Sequence, residues 1–196
     1  AMPSFMVVLL AVLALLLSGC ARAPSKDRRT ELTFVQLSDL HCSSRQDNPA
    51  PKFPFDPHVK DLARSFQWLE EAVRDINRQV KPDFVVVTGD LVDASRSATD
   101  LRRVKSALDG LDCPYYSVIG DHDSAEHFAE VFERPLNYSF SVGAWHFIAL
   151  DCHTGAVSPA GLELLSAALG QLEQGDKAVI LLHRPLVMYE ALQVLA

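Results

Sequence analysis

With 196 residues, 48% of them hydrophobic and 22% charged, the chain has the length and composition of one globular domain with a sizeable core. Its 25 acidic against 18 basic side chains leave a formal net charge of −7. That balance argues against a general nucleic-acid surface, which needs a basic footprint, but not against an anionic substrate, because bound cations can dominate a local field.

Residues 5–17 form an uninterrupted apolar run that ends in Leu17-Ser18-Gly19-Cys20. The run is shorter than the roughly 20 apolar residues of a membrane-spanning helix and fits a signal-peptide core. Its ending resembles the lipobox of bacterial lipoproteins. The resemblance implies a signal peptide over 1–19, lipid on Cys20 and a membrane-tethered domain in the cell envelope, facing the periplasm or on the outer membrane. An uncleaved anchor helix is the alternative. Residues 20–31 are polar and read as a tether, leaving 32–196 for the folded domain.

A strand is predicted over 32–37. Residues 42–57 carry Pro49, Pro51, Pro54 and Pro57, too many for regular structure, and read as a long loop able to wall a pocket. Apolar residues at Val59, Leu62, Ala63, Phe66, Leu69, Val73 and Ile76 repeat every three or four positions, predicting an amphipathic helix over 58–80. A strand over 84–87, a helix over 97–108, a strand over 115–119 and a short helix over 125–132 follow. Residues 138–142 and 145–150 flank Gly143-Ala144 and read as a β-hairpin. Ser158 and Pro159 suit the cap and first turn of a helix reaching 172. The last clear strand is 178–182. The order describes an α/β fold with an antiparallel addition. Only thirteen residues follow His183, without a closing strand, so the domain reads as carboxyl-terminally incomplete.

Four short clusters follow four of the strands: Asp39-Leu40-His41, Gly89-Asp90-Leu91-Val92-Asp93, Gly120-Asp121-His122-Asp123 and Leu182-His183-Arg184-Pro185. Loops at the carboxyl ends of parallel strands converge on one crevice, so these Asp and His side chains are expected to meet. Their oxygen and nitrogen donors suit divalent transition metals such as Mn, Fe or Zn.

In this order, the clusters resemble the motifs of the calcineurin-like metallophosphoesterase superfamily, and their simple lay-out resembles its small class III cyclic-nucleotide phosphodiesterase members. The resemblance covers residues 34–186. It implies a layered α/β sandwich with a mixed sheet, holding two divalent metal ions and acting on a small phosphate ester. By position, Asp39 and His41 would bind the first metal, Asp90 would bridge, and Asp121 and His183 would bind the second. His122 would be the general acid, held by Asp93. The implied reaction is hydrolysis of phosphate mono- or diesters by a hydroxide activated between the cations.

Two departures accompany the resemblance. The family places Asn where this chain has Asp121, which adds a negative charge to the site. Its G-H-x-H segment, one His for each metal, is absent: none of the seven histidines follows a Gly. A degenerate, non-catalytic metal-binding or scaffold lipoprotein is therefore the alternative function. Asp123 reads equally as a turn former and as a partner for His122, and Arg184 as a phosphate contact or an exposed ion pair. His153 could line the pocket. Cys42 and Cys152 read as packing thiols, with a disulfide between them as the alternative.

Overall fold

Every residue of Phe84–Thr88 (β2) is buried, and its side chains alternate between two hydrophobic layers. Val85 and Val87 point to one side, Phe84 and Val86 to the other, as the period-two geometry of a strand requires. β2 is flanked in parallel by Phe34–Leu37 (β1) and Tyr115–Val118 (β3). These positions belong to the computed structural model, which describes residues 31–44, 62–93 and 97–185. The expected signal peptide, nearly all of the expected tether with Cys20, most of the expected proline-rich loop and the last eleven residues lie outside them.

The helical layer covers the Val85/Val87 face. It contains Ser65–Asp75 (α1), Ala98–Leu108 (α2) and Ala125–Phe132 (α3). Phe66, Leu69 and Val73 of α1 pack with Leu101, Val104 and Leu108 of α2 and with Phe128 and Val131 of α3. A 3-10 turn over Leu62–Arg64 leads into α1, and a π turn over Ile76–Val80 ends it. Lys81, at φ 47°, closes that turn through its backbone N–H to the Ile76 carbonyl. Ser97 and Ser124 cap α2 and α3 by accepting from Asp100 N and His127 N.

The antiparallel hairpin does not extend this sheet. Tyr138–Val142 (β4) and Trp145–Ala149 (β5) pair with Lys177–Leu181 (β6) in a second sheet, ordered β4-β5-β6. The β4–β5 pair is antiparallel and the β5–β6 pair parallel, so the mixed sheet is this one. The cause is aromatic. Phe84 meets Phe147 edge-on at 5.0 Å and Phe140 at 5.6 Å, while Tyr116 stacks on Phe140 at 3.5 Å. Laying one sheet over the other removes those rings from water. The crossover from β5 to β6 runs through Pro159–Gly170 (α4), capped by Ser158 with Pro159 in its first turn. The layers are therefore helix, parallel sheet, mixed sheet. Among the described residues no helix is long and apolar enough to cross a membrane.

Candidate metal centre

The loop that follows β2 ties the others together. Asp39 N donates to the Gly89 carbonyl at 3.1 Å, His41 N to the Asp90 carbonyl at 2.9 Å and Cys42 N to the Leu91 carbonyl at 3.0 Å. Asp93 N donates back to the Cys42 carbonyl at 3.1 Å. The loops after β1 and β2 thus continue the strand pairing and end in a Cys42–Val92 bridge. The loop after β3 is attached by Asp123, whose carboxylate accepts from Leu91 N, Val92 N and Gly120 N. The loop after β6 is attached by His183, whose Nδ1 lies 2.8 Å from the Thr88 carbonyl. A carbonyl only accepts, so Nδ1 carries the proton and Nε2 is left as the ligand atom.

Backbone geometry marks the same residues. Asp39, His41 and Asp90 adopt left-handed conformations, with φ of 54°, 43° and 50°. Each costs a non-glycine residue about 1–2 kcal/mol, so the surrounding hydrogen bonds hold them there. Two glycines leave room. A Cβ on Gly120 would overlap the backbone and carboxylate of Asp90, and one on Gly89 (φ 94°) would lie 2.5 Å from His183 Nδ1.

Asp90 is 4% exposed and offers its two oxygens to two sides. Oδ2 lies 3.5 Å from His41 Nε2, and Oδ1 lies 3.3 Å from His183 Nε2. Asp39 Oδ1 stands 3.9 Å from His41 Nε2, and Asp121 Oδ1 3.2 Å from His183 Nε2. Asp39, His41 and Asp90 form one group whose ligand atoms all lie within 4.8 Å, and Asp90, Asp121 and His183 form a second. The structure therefore brings together all five residues expected to hold metal, with Asp90 shared. Carboxylate oxygens and imidazole nitrogens without a thiolate fit divalent cations of the Mn, Fe and Zn type.

His122 stands beside them. Its ring meets His41 edge-on at 4.7 Å, its Nε2 is 3.9 Å from Asp90 Oδ2, and its backbone N–H donates to Asp90 Oδ1 at 3.0 Å. Asp93, expected to hold this imidazole, forms a third group with His41 and His122 whose ligand atoms lie within 4.8 Å of one another, with no hydrogen bond to His122 Nδ1. His122 Nδ1 is buried without a hydrogen-bond partner, whereas Asp93 Oδ1 lies 3.5 Å from His41 Nδ1. The reason is the loop pairing, which sets Asp93 opposite the 39–42 segment.

Charge is distributed unevenly. The Arg184 guanidinium holds Asp121 at about 2, below the usual carboxylate range, through a two-bond contact. Burial pushes Asp123 up to about 6, against the three N–H groups that favour its anion. For His183, burial opposes protonation, but the Thr88 hydrogen bond and the charges of Asp90, Asp39 and Asp121 raise it overall. Burial lifts the Cys42 thiol to about 12, so it supplies no thiolate at neutral pH. Cys42, Cys113 and Cys152 are free thiols, and Cys42 and Cys152 are not paired.

One role was not apparent from the residues alone. The glycines preceding Asp90 and Asp121 are required by close approach, and the repeated Gly-Asp pair was the available signal. Arg184 is an ion-pair partner of Asp121, one of the two readings its position allowed. His153 bonds to Asp151 at 2.6 Å and belongs to none of the ligand groups found among the described residues.

The comparisons agree with this geometry. Residues 32–193 match the family model described as calcineurin-like phosphoesterase, and the chain belongs to that family. It is 28% identical over 165 residues to a "probable cyclic nucleotide phosphodiesterase" of Synechococcus sp., covering 80% of this chain and 59% of that protein. A second protein of that name, from Rhodopseudomonas palustris, is 30% identical over 79% of this chain and 57% of its own length. A "probable glycerophosphodiester phosphodiesterase" of Arcobacter nitrofigilis is 37% identical over 104 residues, 53% of this chain and 34% of that protein. The chain thus spans at most about three-fifths of the length of these relatives. In fold it is similar to a dimetal phosphatase from Danio rerio, at TM-score 0.63 and 17% identity, covering 84% of this chain and 76% of that one. It is also similar to a purple acid phosphatase from yellow lupin seeds, at TM-score 0.53 and 16% identity, covering 80% and 31%.

Proposed function

We propose that the protein hydrolyses phosphate mono- or diesters of small molecules, with nucleotides among the candidate substrates, using two divalent cations. The observation that carries this reading is Asp90, whose two oxygens face two different imidazoles from opposite sides. A carboxylate so placed can share itself between two cations, with Asp39 and His41 on one side and Asp121 and His183 on the other. Bound there, the pair would supply Lewis-acid chemistry, polarising phosphoryl oxygens and lowering the pKa of a water.

The chain's own residues do the rest. Thr88 keeps His183 in the tautomer that presents Nε2. His122 Nε2 faces the same centre, and protonated it would deliver its proton to the departing ester oxygen. Asp93, beside His41, would hold that ring in its ligand orientation. The candidate residues include no nucleophilic side chain, so displacement by water is the step the site supports.

The test uses the protein loaded with Mn²⁺ or Zn²⁺ and the chromogenic substrates bis(p-nitrophenyl) phosphate and p-nitrophenyl phosphate. Turnover should be lost in Asp90→Ala while the far-UV spectrum stays unchanged. Unchanged turnover would remove Asp90 from the centre. Tight metal binding without any turnover would instead favour the scaffold reading.

We also infer an envelope location through lipid on Cys20, supported by the apolar run and the Leu-Ser-Gly-Cys ending. Labelled palmitate should enter the wild-type protein and not Cys20→Ser. Equal labelling of both would remove the anchor.

A further inference from the structure

A cation stands where a cation site should repel it. Arg184 Nη2 donates to Asp121 Oδ2 at 2.6 Å and Nε to Asp121 Oδ1 at 3.2 Å. The two bonds are unequal, and the inequality follows the site. Oδ1 is the oxygen 3.2 Å from His183 Nε2, in the group with Asp90, and it carries the longer bond. Oδ2 carries the shorter one.

The placement of Arg184 is built, not incidental. Its backbone N–H donates to Cys152 Sγ at 3.3 Å, and the Cys152 thiol reaches its carbonyl at 3.8 Å. Cys152 is itself buried, and Pro185 narrows the backbone choices of the residue before it. A guanidinium on so restrained a backbone has few directions to point. A planar fork also matches a carboxylate edge in a way an ammonium does not.

We propose that Arg184 is a charge-compensating and positioning residue for the second cation site. It holds the outer oxygen of Asp121 closely and the inner oxygen, which faces the cation site, more loosely, and makes the Asp121–Arg184 pair act as a nearly neutral ligand. The pair then answers the departure noted in the sequence, where a carboxylate stands at a position the resembled family fills with a neutral amide. This rests on the reading that Asp121 is a metal ligand.

Removing the guanidinium leaves an uncompensated carboxylate, and removing the carboxylate leaves an uncompensated cation. The two changes should therefore move metal affinity in opposite directions and cancel when combined. An opposite charge within about 4–6 Å lowers a carboxylate's affinity for a proton by about one to three powers of ten; the same field acts on a metal cation, here at the lower end because Arg184 is partly exposed.

The experiment is calorimetric titration of the metal-free protein with Mn²⁺, for wild type, Arg184→Gln, Asp121→Asn and the double variant, with thermal unfolding of each metal-free form to verify folding. Arg184→Gln should bind Mn²⁺ about tenfold more tightly than wild type, and Asp121→Asn about tenfold or more weakly. The double variant should return to within about threefold of wild type. Equal or weaker binding in Arg184→Gln would overturn the compensation role, as would a double variant showing simple addition of two losses. Absence of any Mn²⁺ binding by the wild type would sink the metal-centre reading itself, a separate failure. Should Arg184→Gln fail to fold, Arg184→Met gives the same comparison.

Discussion

His183 Nδ1 sits 2.8 Å from the Thr88 carbonyl, across 95 positions of sequence, and this contact aims the opposite ring nitrogen at Asp90 and Asp121. One hydrogen bond therefore sets the tautomer and ties the loop after β6 to the end of β2. His183→Ala should lower affinity for the second divalent cation by about 100-fold or more, the upper end of what losing even an outer partner costs. His183→Gln, which keeps a donor but no aromatic nitrogen, should recover folding and not metal. Metal content after dialysis, measured by mass spectrometry, checks both.

Gly120 is the tightest point of the site. Any Cβ there would overlap Asp90, whose backbone and carboxylate are both committed. Gly120→Ala should cost about 3 kcal/mol in urea unfolding and remove metal binding together with stability. A variant with wild-type stability and metal content would show that the loop shifts freely.

Asp123 is predicted to be structural. Its two oxygens accept from three N–H groups on two loops, and it is 2% exposed. Asp123→Ala strands those donors and should destabilise by about 2–4 kcal/mol. Asp123→Asn should fall short of rescue, since an amide keeps one acceptor oxygen and its NH2 would face either the Val92 N–H or the Leu91 and Gly120 N–H groups. Equal stability of Asp123→Asn and wild type in denaturant titration would contradict this.

The acid response follows from Asp121. Its folded-state value of about 2 lies below the ordinary 3.8, so the unfolded chain takes up its proton first as pH falls. The stabilisation is complete above about pH 4 and is lost as pH drops towards about 2. In the metal-free protein, unfolding free energy should fall over that window, and Arg184→Gln should fall less. Parallel pH profiles for the two proteins would contradict the assignment.

Much of this was legible from residue order. The apolar runs placed six strands, Ser97 and Ser158 marked helix starts, and four Asp/His clusters sat at strand ends. Strand ends of a parallel sheet face one way, so convergence of the clusters after β1, β2 and β3 could be inferred without coordinates, whereas His183 follows β6 of the second sheet. The second sheet was harder. A hairpin's alternation says which face is apolar but not what that face meets, and Phe140 and Phe147 could have packed against helices as readily as against Phe84. The nearer partner of Asp93 was open for a similar reason. Its distance along the chain from His41 and His122 is large in both cases, and only the pairing of the 39–42 and 89–93 loops chose His41.

Sequence alone determined which donors exist, which strands carry them and the family to which the chain belongs, because propensity and hydrophobic period act over a few neighbouring residues. Tertiary structure alone decided which oxygen of Asp90 faces which imidazole, that Gly120 must lack a side chain, and that Arg184 grips Asp121. These are contacts between segments tens of residues apart. Their geometry comes from how the two sheets and the helical layer pack, a property no local stretch of chain encodes.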